Sequence, residues 1–141
     1  MASKYAGLQG DFSLQIAQFA EQTKEAIDAS VREIVIELGN SLIRMSPVDT
    51  GRFRGNWQFT IGSPATDTVA DYATSAGEAS ARLTADAILF KAGETAYIVN
   101  NLPYAIPLEY GHSDQAPGGM VRMTLARFQK SVEDAIRNNK V

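Results

Sequence analysis

The chain has 141 residues, a formal charge of −3, 45% hydrophobic and 21% charged residues: ordinary globular composition, enough for one domain with a real core. It has no cysteine, which excludes disulfides and thiolate metal sites and fits a reducing compartment. No apolar run approaches the roughly 18 to 20 residues of a membrane span; the N-terminus lacks a signal-peptide pattern, and the acidic balance argues against a dedicated nucleic-acid binder.

Residues 1–11 read as a flexible polar arm, with Gly7 and Gly10 and little to bury. A first helix is predicted over 12–45. Ile16, Phe19, Thr23, Ile27, Val31, Ile34, Leu38, Leu42 and Met45 recur at steps of three and four, one stripe on a 3.6-residue helix. Gln18, Glu21, Glu25, Asp28, Arg32 and Glu33 form the opposite face, with Lys24–Asp28 and Asp28–Arg32 as pairs four residues apart. Val35, Ile36 and Ile43 widen the apolar surface, which predicts cover on two sides of the C-terminal half. Gly39 marks a bend or a close helix contact.

Pro47 ends this helix, because the residue before a proline is pushed out of the α region. Asp49, Thr50 and Gly51 have turn chemistry, and the turn at 46–51 is expected to set the helix-to-sheet angle. A half-buried strand is predicted over 52–61. Phe53, Gly55, Trp57, Phe59 and Ile61 alternate with Arg52, Arg54, Asn56, Gln58 and Thr60. Residues 62–74 read as an exposed loop. Ser75 and Glu78 have capping-box spacing, and an Ala-rich helix follows with Ala79, Leu83, Ala87 and Phe90 inward. A turn at 91–94 leads to a strand over 95–100. Periodicity leaves open a second arrangement, in which 87–90 is a strand hairpinned to 97–100.

Asn100 to Pro103 breaks the chain again. Residues 104–111 make at most a short helical turn, since Pro107 limits it. Residues 112–119 read as an exposed loop, and a last helix is predicted over 120–138 with Val121, Leu125, Phe128, Val132 and Ile136 as its apolar stripe. The fold class is therefore α+β in a single domain, 1–141. Long N- and C-terminal helices pack on a small, mostly antiparallel β-sheet, with a short Ala-rich middle helix.

Asp49-Thr50-Gly51 matches the triplet of dimeric aspartic proteases, in which two aspartates share a proton. The flanks oppose that reading: a helix ends at Pro47, the next residue is Arg52 rather than a small one, and turn chemistry accounts for the residues without catalysis. His112, the only histidine, has no nucleophile elbow before it and lies in a polar loop, so neither a Ser-His-Asp site nor a zinc site is expected. Gly118-Gly119 before a helix is a weak anion-binding signal. Arg52 and Arg54, with Asn56 and Gln58, offer a strand face that either contacts phosphates or pairs with carboxylates. Glu109 is either a partly buried acid of raised pKa or, as preferred here, the acceptor for an arginine from the strand or another subunit. Arg54 and Glu109 are the candidate pair. Phe53, Trp57 and Phe59 are expected in the core.

Two segments taken together resemble the tail-component family of long-tailed bacteriophages, described as tail-completion or neck proteins. One is Ser46 to Arg54 after a long helix; the other runs from Tyr97-Ile98-Val99-Asn100-Asn101 through Leu102-Pro103-Tyr104-Ala105 to Leu108-Glu109-Tyr110-Gly111. The matching positions are Pro47, Asp49, Thr50, Gly51, Arg54, Tyr104, Ala105, Glu109 and Gly111; Phe53 stands where a leucine is commoner. The resemblance implies a structural virion protein at the head–tail junction, assembled in the host cytoplasm. It implies no catalytic activity, no cofactor and no metal. The implied partners are copies of itself in a ring, sixfold by tail symmetry, and other neck and tail proteins: a connector or stopper, a tail terminator or the tail tube. DNA would pass through the lumen without sequence-specific binding, which an acidic protein favours by repelling phosphate. The rival reading is a nucleic-acid-binding or regulatory module that uses the 52–58 strand face.

Overall fold

The computed structural model describes residues 4–47, 51–69, 76–111, 114–116 and 118–140, with residues 4–11 and 76 described by backbone alone. The first helix, α1 (Lys4–Met45), is unbroken over 42 residues, a length of about 63 Å at 1.5 Å per residue. It starts inside the predicted N-terminal arm, so residues 4–11 are helical rather than a loose arm. Propagating a formed helix adds one hydrogen bond per residue fixed. Ala6, Leu8 and Gln9 are good helix formers that offset Gly7 and Gly10.

At its C-terminal end, Ser46 Oγ donates to the Leu42 carbonyl at 2.6 Å and accepts Trp57 Nε1–H at 2.7 Å. Both residues are buried, and the bond ties the end of α1 to Trp57. Residues 48–50, including Asp49 and Thr50, lie outside the described residues.

The predicted strand over 52–61 divides in two. Arg52–Gly55 is a helical turn, α2, entered through Gly51 at φ 87° and closed by Gly55 N–H on the Gly51 carbonyl at 3.0 Å. Only Gln58–Ile61 is a strand, β1. The misreading has a physical source: Phe53 and Trp57 are four apart, and that spacing keeps one face in a helical turn as well as in a strand. Asn56, fully buried at 0% exposure, is no part of a polar strand face. Its amide donates to the carbonyls of Arg52 and Val69, and its Oδ1 accepts the Val69 N–H. All its main bonding capacity is used inside the fold, as burial demands.

β1 pairs antiparallel with β2 (Ala96–Val99), Gln58 opposite Val99 and Ile61 opposite Ala96. Among the described residues the sheet has these two strands. A pair this small is marginal alone and depends on the helices against it. The helix α3 (Ala76–Ala87) supplies one of these, burying Ala79, Leu83 and Ala87 as its pattern predicted. It ends at Ala87, so 87–90 is not a strand; Phe90 turns inward and meets Phe59 edge-on at 6.1 Å. At Gly39 α3 lies close against α1: a Cβ there would press on the Leu83 side chain. The buried cluster joins Leu42, Ile43, Phe53, Trp57, Phe59, Leu83 and Phe90. Each such side chain contributes about 1.5–3 kcal/mol by leaving water.

Two polar residues expected on the solvated face of α1 bind the chain after α3 instead. Asp28 accepts the Ala92 N–H at 2.9 Å, and Arg32 donates to the Phe90 carbonyl at 2.8 Å. These contacts replace the expected ion pairs of Asp28 with Lys24 and Arg32.

After β2 come α4 (Ala105–Glu109), the short turn foreseen, then α5 (Val121–Ala126) and α6 (Phe128–Asn138), which break at Arg127. Of the expected apolar stripe only Val132 is half-buried, and the other four positions face outward. Val121, Leu125, Phe128 and Ile136 are exposed, and Thr124 and Ala135 are buried. Small and hydroxylated positions face α1: the Thr124 and Ser41 hydroxyls hydrogen-bond at 2.8 Å, and Asn138 and Asn139 donate to the Glu33 carboxylate. Part of the predicted exposed loop 112–119 is also core, since Ala116 and Gly119 are buried. Residues 62–69 are irregular and largely exposed, as expected.

Candidate functional site

The two motif segments, far apart in sequence, meet on one side of the sheet. Asn100 Nδ2 donates to the Phe53 carbonyl at 2.9 Å, and the Phe53 and Tyr104 rings lie 5.9 Å apart. Phe53 also meets Trp57 edge-on at 5.8 Å. Gly51 and Gly111, at φ 87° and 85°, occupy left-handed conformations that L side chains resist. Pro47 is buried at the end of α1, Arg54 is half-buried on α2, and Tyr104 is partly exposed. His112 lies outside the described residues.

Glu109 is the most heavily bonded side chain of this region. Its Oε1 accepts the N–H groups of Met120 and Val121 at 2.8 and 2.6 Å; Oε2 accepts the Arg122 N–H and Nε–H, each at 3.1 Å. Arg122 also donates to the Glu109 carbonyl. The carboxylate therefore caps the start of α5, meeting donors that a helix N-terminus leaves unsatisfied. Within one copy its ion-pair partner is Arg122 on α5 rather than an arginine from the 52–61 segment, so Arg54 and Glu109 are not paired inside the chain. Burial alone raises the Glu109 pKa and is the largest single influence. The hydrogen bonds from Val121, Arg122 and Met120 together outweigh it and hold the carboxyl below its ordinary value, not above it.

Gly119 completes this latch. Its φ is 81°, and a Cβ would strike both the carboxylate and the carbonyl of Glu109. The anion that Gly118-Gly119 hinted at is thus the chain's own glutamate. Sequence reasoning missed Arg122, set Asn56 on a polar strand face, and marked Gly119 only as half of a weak anion-binding pair. Arg122 carried no local signal, since its partner Glu109 lies 13 residues away.

Beside the latch lies an open groove of about 530 Å³, with Trp57, Ile98, Ile106, Tyr110 and Arg122 in its walls. The Arg122 guanidinium sits 5.0 Å from the Tyr110 ring centre, a cation–π distance. A second, smaller groove of about 240 Å³ runs between α1 and α5, lined by Leu38, Leu42, Ile98 and Leu125. Among the described residues, no group of three His, Cys, Asp or Glu side chains is placed to hold a metal ion. Nor is any helix there long and apolar enough to cross a membrane.

The fold defines a helix-rich α+β domain with a small antiparallel sheet and open apolar grooves. No protein-family model, curated protein or solved structure matches the chain.

Proposed function

We propose that the chain is a structural part of a bacteriophage neck, completing the tail or joining it to the DNA-filled head as one copy in a ring. The observation that carries this reading is the junction of the two motif segments: Asn100 bonded to the Phe53 carbonyl, with Tyr104 against the Phe53 ring. The resemblance rests on those segments, and their side chains serve one joint. Glu109 and Gly111 have structural work in that region as cap and turn. These roles suit an assembly part better than an active site. The exposed apolar stripes of α1 and of α5–α6 fit a protein that completes its burial against neighbours. A charge of −3 fits a conduit through which DNA slides.

On this reading the partners are further copies of the chain, with a connector or stopper on one side and a tail terminator or tail tube on the other. The test is genetic. Removing the gene from the phage that encodes it should leave filled heads and finished tails unjoined in the lysate, and a plasmid copy should restore infectious particles. Joined, infectious particles formed without the chain would overturn the proposal.

A further inference from the structure

The N-terminal half of α1 has an apolar stripe that nothing among the described residues covers. Phe12, Ile16, Phe19 and Ile27 are all exposed, Phe19 to 61%. The outward stripe of α5–α6, Val121, Leu125, Phe128 and Ile136, is its counterpart. We propose that the α1 arm of one copy docks along the α5–α6 face of the next, a head-to-tail contact between copies of this chain.

Four observations support a second copy as the occupant. The stripes have the same span in sequence: Phe12 to Ile27 and Val121 to Ile136 each cover 15 residue steps, about 23 Å on the unbroken α1, the second stripe crossing the break at Arg127. The arm does not fold back onto its own face, because α1 is continuous from Lys4 to Met45 and residues 12–20 are exposed on every side. The face contains a receptor for a large side chain: the groove of about 240 Å³ beside Val121 and Leu125. The arm brings two phenylalanines. The charges are complementary, since 121–140 carries five basic against two acidic residues, while Glu21 and Glu25 outnumber Lys24 along the arm. The same scarcity of basic residues makes the arm a poor ligand for an anionic membrane.

The size is adequate. The eight exposed side chains offer on the order of 800 Å² of apolar surface, and polar flanks bring the contact to the roughly 1,200–2,000 Å² of a specific interface. An arm-to-arm pairing would leave the groove on α5 open and set Glu21 and Glu25 of two copies together. The head-to-tail contact fills the groove and, being heterologous, propagates until it closes into a ring.

The inference deepens the ring reading above, yet the two fail separately. A ring built through other surfaces would sink the arm contact and leave the neck reading intact. The experiment uses the full chain and two double variants at exposed positions, F12S/F19S on the arm and L125E/F128E on the face. Circular dichroism checks that both keep the parent's helix content, and sedimentation velocity reads association. The wild type should associate in the micromolar range. Each variant alone should be monomeric. An equimolar mixture should form a one-to-one heterodimer and nothing larger, because one intact arm and one intact face remain. If a double variant loses its helix content, Phe19→Ala and Leu125→Ala replace the pair, and each should weaken association. A wild type that stays monomeric, a variant that associates as the wild type does, or a mixture that stays monomeric would overturn the proposal.

Discussion

The two halves of α1 share one apolar period and have opposite fates. In the C-terminal half Leu42 and Ile43 are buried, Gly39 lets α3 lie close, and Ser41 reaches Thr124 on α5. In the N-terminal half Phe12, Ile16 and Phe19 stand in solvent. Periodicity specifies which face of a helix is apolar; it does not specify what covers that face, in the same chain or in another. A helix of this length extends past the domain it anchors, and the surplus is a surface.

The strongest way to break this contrast is to cut both halves. Ile43→Ala, at a position 1% exposed, should cost about 2–5 kcal/mol in urea unfolding. Phe19→Ala should stay within about 0.5 kcal/mol in the dilute protein. Equal losses would mean that the arm already packs within one copy.

The receiving face is held by the Glu109 latch. Glu109→Gln keeps the shape and removes the charge from a side chain only 15% exposed; it should cost about 1.5–3 kcal/mol by thermal or urea unfolding. The folded-state pKa is depressed below the ordinary value of 4.5. The carboxylate's contribution is therefore fully present above the unfolded pKa and is lost as pH falls through the folded one. The stability difference between wild type and Glu109→Gln should shrink as pH drops below about 4.5. A difference that stays constant to pH 3 would contradict the latch.

Gly119→Ala should cost about 1–3 kcal/mol, from a residue forced to positive φ and a methyl pressed on Glu109. Part of that cost should vanish in a Glu109→Ala background, a coupling that a double-mutant cycle reads directly. Gly39→Ala should have the smallest effect of the substitutions at buried positions. Overpacking against Leu83 costs about 1–3 kcal/mol, and the helix-propensity gain of about 1 kcal/mol offsets some of it. A clear stabilisation would show that α3 can give way there.

Much of the fold was legible in residues that act locally. Pro47 and the apolar steps from Ile16 to Met45 marked the long helix; Ala79, Leu83 and Ala87 marked the inward face of α3, and Phe90 the inward residue just after it. The β-formers Tyr97, Ile98 and Val99 marked β2. The failures share a cause: each depended on a partner distant in sequence. Arg52 to Trp57 satisfies strand and helical-turn spacing together, and Asn56 resolves the ambiguity only by bonding to Val69. The stripe from Val121 to Ile136 looked like core, yet Thr124 and Ala135 face α1, because Ser41 and Glu33 offer them and their neighbours polar contacts. Glu109 was marked as an acceptor for an arginine. Its partner was not readable, since the donors of Met120, Val121 and Arg122 sit across a loop. Asp49 and Thr50, the residues that first suggest catalysis, lie outside the described residues.

The contrast between the two halves of α1 can be measured directly by hydrogen–deuterium exchange, comparing dilute and assembled protein peptide by peptide. The account predicts slow exchange across residues 31–45 in both states. Residues 12–27 should exchange fast when dilute and become protected on assembly, together with the amides of residues 121–136. Equal exchange of residues 12–27 in the two states would contradict it.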